Sequence, residues 1–294
     1  MIGRVAVVGS ANVDLVYTVQ RIPAPGETVT ATGPSVFSGG KGLNQAVAAH
    51  RTGAETTFIA AVGRDAHAET VLATIAKEDM DSAQIRRVDA ATGTAIVTLD
   101  VNGENSIVIV AGANAELTEL TENDRALIRS SAVLVCQLEV PDGVITDAVI
   151  TAHAAGRKVI LNPAPVRAVS PELLALIDVL VVNAHEAEQL QVNALDVPCV
   201  VTTLGPNGAV LARRGHAVLG LPPRRTAVID TTGAGDTFVG SFAAEIARGS
   251  TYEAAARRAV AAASLSVEKA GAVPSIPTRQ AVDAALHLEK VESK

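Results

Sequence analysis

Short apolar runs recur along this chain, usually followed by small polar residues, and stretches with a helical period lie between several of them. That alternation leaves few folds open. Residues 5–8, 133–136, 159–161, 179–182 and 200–202 each read as a buried strand. Between two of these, Val144, Ile145, Ala148, Val149 and Ala152 keep a helical spacing that Gly156 closes as a C-terminal stop. Strand and helix in alternation predict an α/β fold with a mostly parallel central sheet covered on both faces. With 294 residues the chain can build a sizeable core without disulfide or metal staples.

Two segments break the rhythm. Residues 94–110 alternate around Asn102-Gly103, with Ile96, Leu99 and Val101 before it and Ile107 and Ile109 after it. This predicts a hairpin, and the dipeptide favours a type I′ turn. Residues 13–37 carry Pro23, Pro25, Gly26, Gly33 and Pro34, which suits further irregular strands rather than helix. Together the two segments, about 13–38 and 94–111, are expected to form a small β lid on a single domain spanning 1–294. The last third reads as helices over 234–248, 252–269 and 278–288, and residues 254–263, nearly all alanine and valine, look close-packed.

Composition removes whole classes of function. There are 24 basic and 31 acidic residues, a net charge of −7, which argues against partners held by phosphate contacts and against a basic membrane-surface role. Aromatic residues make up only 2%, too few for platforms on which single-stranded bases stack. Cys136 and Cys199 sit in apolar runs without Cys-x-x-Cys spacing, so buried thiols are expected rather than a disulfide or zinc site. Residues 5–8 break into Gly9, Asn12 and Asp14 before a signal-peptide core forms, and no run approaches the roughly 18 uncharged apolar residues of a membrane helix. The expectation is a soluble, cytoplasmic protein without a nucleic-acid or membrane partner.

The most informative stretch for chemistry is Asp230-Thr231-Thr232-Gly233-Ala234-Gly235-Asp236-Thr237, just before an amphipathic helix. Its glycines let consecutive N–H groups point outward at a helix N-terminus, which suits a phosphate. Asp236, in the first helical turn, is placed where a hydroxyl could give up its proton while attacking that phosphate. The same residues are also compatible with a plain glycine-rich helix start carrying an aspartate on the helix dipole.

Gly39-Gly40-Lys41-Gly42-Leu43-Asn44 is a second glycine-rich helix entry, and it is not a Walker A loop, because glycine follows the lysine where Ser or Thr is needed. Lys41 and Asn44 offer donors suited to sugar hydroxyls, although a solvent-facing lysine at a helix start explains the motif as well. Asn12, Asp14, Glu139, Asn162, Asn183, Glu186, Thr203 and Gly205 all follow predicted strands, at the ends where open α/β sheets bind ligands. The histidines lack metal-ligand spacing, and neither a G-x-S-x-G elbow nor a protein-kinase signature is present.

Gly39-Gly40-Lys41-Gly42 with Asn44, and residues 230–237, resemble the two signatures of the ribokinase family of small-molecule kinases, also called the PfkB carbohydrate kinases. The likeness runs from Gly9 to Pro277, and 103–106, 112–114, 137–139 and 162–165 narrow it to the ribose-phosphorylating members. It implies a three-layer α/β/α domain whose β lid also forms a homodimer interface, and ATP-dependent phosphorylation of the D-ribose 5-hydroxyl. By the same resemblance Asp236 is the catalytic base, and the amides of Gly233, Ala234 and Gly235 form the anion hole. Asn12, Asp14, Gly40, Lys41, Asn44 and Glu139 hold the sugar. Asn183, Thr203, Gly205, Gly208 and Gly235 serve the nucleotide, with Glu186 in the Mg2+ region. An activating K+ is implied at Asp230, Thr232, Ser266, Lys269, Gly271 and Ser275. Same-fold kinases of 2-deoxyribose, fructose or nucleosides, and a non-catalytic sugar sensor, are the alternatives.

Overall fold

The computed structural model describes residues 3–292. The chain begins with β1 (Arg4–Val8), β2 (Asn12–Thr18), β3 (Thr32–Gly39), α1 (Lys41–Arg51), β4 (Glu55–Val62), α2 (Ala66–Lys77), β5 (Ile85–Arg87), β6 (Gly93–Leu99) and β7 (Asn105–Val110). It continues through α3 (Glu122–Ser130), β8 (Val133–Gln137), α4 (Asp142–Ala154), β9 (Lys158–Asn162), α5 (Pro171–Leu174), β10 (Val179–Asn183), α6 (Ala184–Gln189), β11 (Cys199–Thr203), β12 (Ala209–Arg213) and β13 (Leu219–Leu221). The helices α7 (Ala234–Ala247), α8 (Tyr252–Ser266), α9 (Ala272–Ser275) and α10 (Arg279–Glu292) complete it.

A nine-stranded sheet runs in the order β13-β12-β11-β10-β9-β8-β1-β4-β5. Every pairing from β11 to β5 is parallel. The strand β1 shows why the sheet needs helices on both faces. Val5 and Val7 enter one core with Leu43 of α1, Phe238 of α7 and Ala259 of α8, while Ala6 and Val8 enter the other with Ile128 of α3 and Ile145 of α4. Period-two alternation of residues that are all apolar produces the three-layer arrangement. Between α7 and α8 the scarce aromatics are concentrated: Phe238 stacks on Phe242, and Phe242 on Tyr252, with centroids 6.1 and 6.2 Å apart.

The structure departs from the sequence reading at three places. The edge strands β12 and β13 are antiparallel, because the short 3-10 turn Gly205–Asn207 between β11 and β12 cannot carry a parallel crossover. The hairpin β6–β7 forms as expected, but its loop is not a two-residue type I′ turn. Asp100 O accepts from Gly103 N, Asp100 N donates to Glu104 O, and only Gly103 has positive φ, so the turn carries a glycine bulge. The side chain of Asp100 secures it by accepting from the N–H groups of Asn102 and Glu104. Finally, α8 ends at Ser266 rather than continuing to Lys269.

A four-stranded sheet, ordered β3-β2-β6-β7, forms the lid. Strand β2 leaves directly after β1, so the residues that follow the central strand of the large sheet also begin the small one. Strand β1 is the switch point: the chain steps to β4 on one side of it and later to β8 on the other. In such sheets the crevice at the carboxyl ends beside the switch is where ligands bind. Among the described residues no helix is long and apolar enough to cross a membrane.

Candidate active site

The crevice is built around a helix start that cannot cap itself. At the entry to α1, Gly40 takes φ +89°, and a Cβ there would stand 2.9 Å from Asn12 N. A side chain is excluded on both counts, so no local Ser, Thr, Asp or Asn can cap the helix. The cap comes instead from the loop that follows β8. Glu139 Oε2 accepts from Lys41 N at 3.0 Å and from Ser10 Oγ at 2.5 Å, while Ser10 Oγ itself accepts from Gly42 N at 3.2 Å. The Ser10 carbonyl takes the Leu43 N–H at 2.9 Å. The carboxylate therefore ties the ends of β1 and β8 to the positive end of α1.

Helix α7 meets α1 backbone to backbone. A Cβ on Gly240 would lie 2.3 Å from Gln45 O, so only glycine permits the crossing. One turn earlier on α7, Asp236 is 7% exposed and is held from two directions. Asn44 Nδ2 donates to its Oδ2 and Gln45 Nε2 to its Oδ1, both at 2.9 Å. Gly233, three residues before Asp236, is the N-cap of α7 and lies in the left-handed region. Among the described residues the Gly233 and Gly235 N–H groups have no partner, whereas Ala234 N donates to Thr231 O at 3.2 Å. A Cβ at Gly235 would meet only open space. An unpaired pair of amides at the helix N-terminus beside a buried carboxylate can receive an anion and a proton in one place.

Four charged groups converge here. Asp14, on β2, has its carboxyl pushed up to about 6 by burial first, then by Glu139 and Asp236. The Lys41 ammonium is held above its ordinary value chiefly by Asp236; burial opposes this, and Glu139 and Glu186 add to it. Asn12 is buried, and its Oδ1 accepts from Asn114 Nδ2 at 2.7 Å while Asn114 Oδ1 accepts from Ala11 N at 2.9 Å.

On the other side of Asp236 a cavity of about 770 Å³ opens. Lys41, Asp236 and Gly233 to Gly235 form one end, and Asn183, Glu186, Thr203, Gly205 and Gly208 form one wall. Pro223, Val228, Val260, Ala263 and Val267 make the opposite, mostly apolar wall. Asn183 and Glu186 are joined as a capping box: Asn183 Oδ1 accepts from Glu186 N, and Glu186 Oε2 from Asn183 N, both at 2.8 Å. The N-x-x-E spacing is thus a helix start that turns one carboxylate toward the cavity. Thr203 is fixed by donating its hydroxyl to Val182 O at 3.3 Å.

Beside the α7 start, Asp230 Oδ1 accepts from Thr232 N and Oδ2 from Gly271 N, at 2.9 and 2.7 Å. Burial raises its pKa, but the hydrogen bonds from Thr232 and Gly271 outweigh this and hold it below the ordinary value. Ser266 and Ser275 are buried and donate their hydroxyls to Ala263 O and Ala272 O, whereas Lys269 is exposed. Both cysteines are buried and free, and burial pushes each thiol up to about 12.

The residues predicted from the sequence therefore divide. Asn12, Asp14, Gly40, Lys41, Asn44, Glu139 and Asp236 meet at one end of the crevice, and Asn183, Glu186, Thr203, Gly205 and Gly208 line the neighbouring cavity. Ser10, Gln45, Asn114 and Gln137 bind into the same network without having been singled out as site residues. Gln45 shares its segment with Asn44, and Asn114 and Gln137 lie in stretches that carry the family resemblance, so position was available as a signal but side-chain direction was not.

Comparison with known proteins agrees with this architecture. The model of the pfkB family carbohydrate kinases matches residues 3–279. Ribokinase of Haemophilus influenzae is 39% identical over 292 residues, covering 93% of this chain and 95% of that one. The structure of Arabidopsis thaliana ribokinase, complexed with ribose and ATP, superposes with a TM-score of 0.91 at 33% identity, covering 97% and 99% of the two chains. A nucleoside kinase of Methanocaldococcus jannaschii, at 20% identity and a TM-score of 0.83 over 98% and 99% of the chains, shares the fold. A match spanning nearly every residue, both glycine-rich helix entries included, means that this chain belongs to the pfkB family of carbohydrate kinases.

Proposed function

We propose that this chain transfers the γ-phosphoryl group of ATP to the 5-hydroxyl of D-ribose, giving D-ribose 5-phosphate and ADP. The observation that carries the reading is the position of the Asp236 carboxylate, buried at the start of α7 between the Asn12–Asp14–Glu139 end of the crevice and the 770 Å³ cavity. As the sugar oxygen forms its bond to the γ-phosphorus and the bond to the ADP oxygen breaks, Asp236 takes the hydroxyl proton. The Gly233 and Gly235 amides, with Ala234 at the same turn, face the charge that develops, and Lys41 adds a cation beside it. Asn12, Asp14 and Glu139 accept from sugar hydroxyls, and the backbone at Gly40 allows close approach. Asn44 completes the set with its Oδ1, a buried acceptor that has no partner among the described residues. The apolar wall at Val228, Val260, Ala263 and Val267 suits a purine, with Thr203, Gly205 and Gly208 along the opposite side.

Two cations fit the residues present. A single carboxylate, Glu186, beside Asn183 suits Mg2+, which takes most of its ligands from phosphates and water and, when bound, neutralises phosphate charge. An oxygen-rich turn formed by Asp230, Thr232, Ser266, Lys269, Gly271 and Ser275, partly through carbonyls, suits K+, which adds positive charge next to the anion site. Strand β7 is an exposed edge in which Ile107, Val108, Ile109 and Val110 are each about half exposed. Such a row asks to be covered, and we assign it to a homodimer interface formed by the lid.

The test is coupled ADP release with D-ribose, 2-deoxyribose, fructose and adenosine, each with K+ and with Na+ alone. Preference for ribose with stimulation by K+ is the expected result. Preference for adenosine or fructose overturns the sugar assignment, and sugar binding without ADP release identifies a sensor.

A further inference from the structure

Asn44 and Gln45 are adjacent on α1 and both grip Asp236, yet their remaining atoms differ. A carboxylate only accepts, so each amide must turn its NH2 group toward Asp236. That leaves Asn44 Oδ1 without a donor among the described residues. Gln45 has nothing left over: Nε2 donates to Asp236 Oδ1 at 2.9 Å and to Asn162 Oδ1 at 3.0 Å, and Oε1 accepts from Gln137 Nε2 at 2.6 Å. Asn162 is fixed from its far end, where Nδ2 donates to Val181 O at 2.9 Å. Gln45 and Gln137 are both fully buried. The chain of amides joins α1, β8, β9 and β10 behind the carboxylate, and no member of it can be reversed without setting two buried donors or two buried acceptors face to face; at its far end Gln137 Oε1 has no partner among the described residues.

We propose that Gln45 is a positioning residue for the reaction, holding Asp236 Oδ1 with a buried N–H donor so that the carboxylate stays aimed, while making no contact with sugar or nucleotide. The inference rests on the assignment of Asp236 as the base. Its consequence is a split between neighbours: Asn44 acts on sugar binding and turnover together, Gln45 on turnover alone.

The test uses Gln45→Met, Gln45→Glu, Asn44→Ala and Asp236→Asn in the full chain, with circular dichroism and thermal unfolding to establish folding. Gln45→Met is expected to lower kcat about 10- to 100-fold, with KM for ribose and ATP within about twofold, and to move the acid limb of kcat to higher pH. Gln45→Glu moves that limb further, since two carboxyls then share one site. Lys41 and Asp14, the charged groups nearest Asp236, and Glu139 and Glu186 beyond Lys41, are unchanged in both Gln45 variants, so a shift of the limb reports the substitution. A rise in ribose KM matching the loss in kcat would make Gln45 a sugar contact and overturn the proposal, as would a folded Gln45→Met with unchanged kcat and limb. If Gln45→Met does not fold, Gln45→Glu decides alone: an unmoved limb overturns the proposal. Near-normal turnover by Asp236→Asn is a separate outcome, and it removes the base assignment itself.

Discussion

The two sides of Asp236 are built in different ways. Toward the lid, the polar side chains are oriented by groups from distant elements: Glu139 Oε2 by Lys41 N and Ser10 Oγ, Asn12 Oδ1 by Asn114, and Asp236 by Asn44 and Gln45. Toward β10–β13 the lining is largely apolar and glycine-rich, with a mostly exposed segment over residues 222–229 that brings Arg224 and Arg225 to it. A ligand on the first side is recognised by a few oriented groups and one on the second by shape and apolar area. Substitutions on the lid side should therefore be steep and specific to the sugar, and those on the cavity side shallow and specific to the nucleotide.

The largest effect tests the boundary between the two. Asp236→Asn keeps the shape and loses the proton acceptor, so kcat should fall by roughly 10² to 10⁴. Binding of both substrates, measured by calorimetry, should persist. A loss confined to one substrate's affinity would place Asp236 on that side rather than between them.

Next in size is Asp14→Asn, which should raise ribose KM about 10- to 100-fold by replacing an ionised acceptor, and leave ATP KM alone. Because the Asp14 carboxyl sits at about 6, kcat/KM for ribose in the parent protein should fall as pH drops through 6, and the variant should lack that limb. Stability moves the opposite way. A carboxyl whose folded pKa exceeds its ordinary 3.8 binds its proton preferentially in the folded state, so stability declines from about pH 4 to 6 and stays lower above. Asp14→Asn should thus stabilise the unliganded protein by about 1 to 3 kcal/mol at pH 8 and by less at pH 5. Equal gains at the two pH values would show that the burial cost is absent.

On the cavity side, Ala263→Leu adds bulk to the apolar wall beside Val260 and Val267. The expected change is an approximately tenfold rise in ATP KM, with ribose binding unaltered. Should ribose affinity fall by a similar factor, the two sides are coupled more tightly than their construction indicates.

How much of this was legible in the sequence follows the same division. Residues 5–8 and 133–136 announced buried strands because the runs are short, valine-rich and followed by glycine or a polar residue, which favours strand over helix. Gly233 and Gly40 announced helix starts because their backbone angles exclude other residues. The role of Glu139 as the missing cap of α1 left no local trace, since its partners lie 98 and 129 residues away. Gln45 and Gln137 are equally silent, because no period relates amides on different elements; Asn162 is marked by its place after a strand, but its link to them is not. The Asn102-Gly103 loop misled for a related reason: the dipeptide is compatible with more than one turn, and the side chain of Asp100 chose the bulged one.

The smallest effect concerns the lid, which belongs to the sugar side because β2 carries both Asn12 and Asp14. Its edge strand β7 is exposed along its length and apolar from Ile107 to Val110. If two copies meet there, the interface stiffens β6 and β2 behind it, and the sugar pocket gains order that the nucleotide cavity does not share. Val108→Lys places a charge in the middle of that row. The variant should sediment as a monomer where the parent is a dimer, with ribose KM raised about two- to fivefold and ATP KM and kcat nearly unchanged. An unchanged mass would move the interface elsewhere. A monomer with unaltered ribose KM would mean that the small sheet is held in place by its own strand pairing and its packing against α2, α9 and α1, and that dimerisation protects the edge without shaping the site.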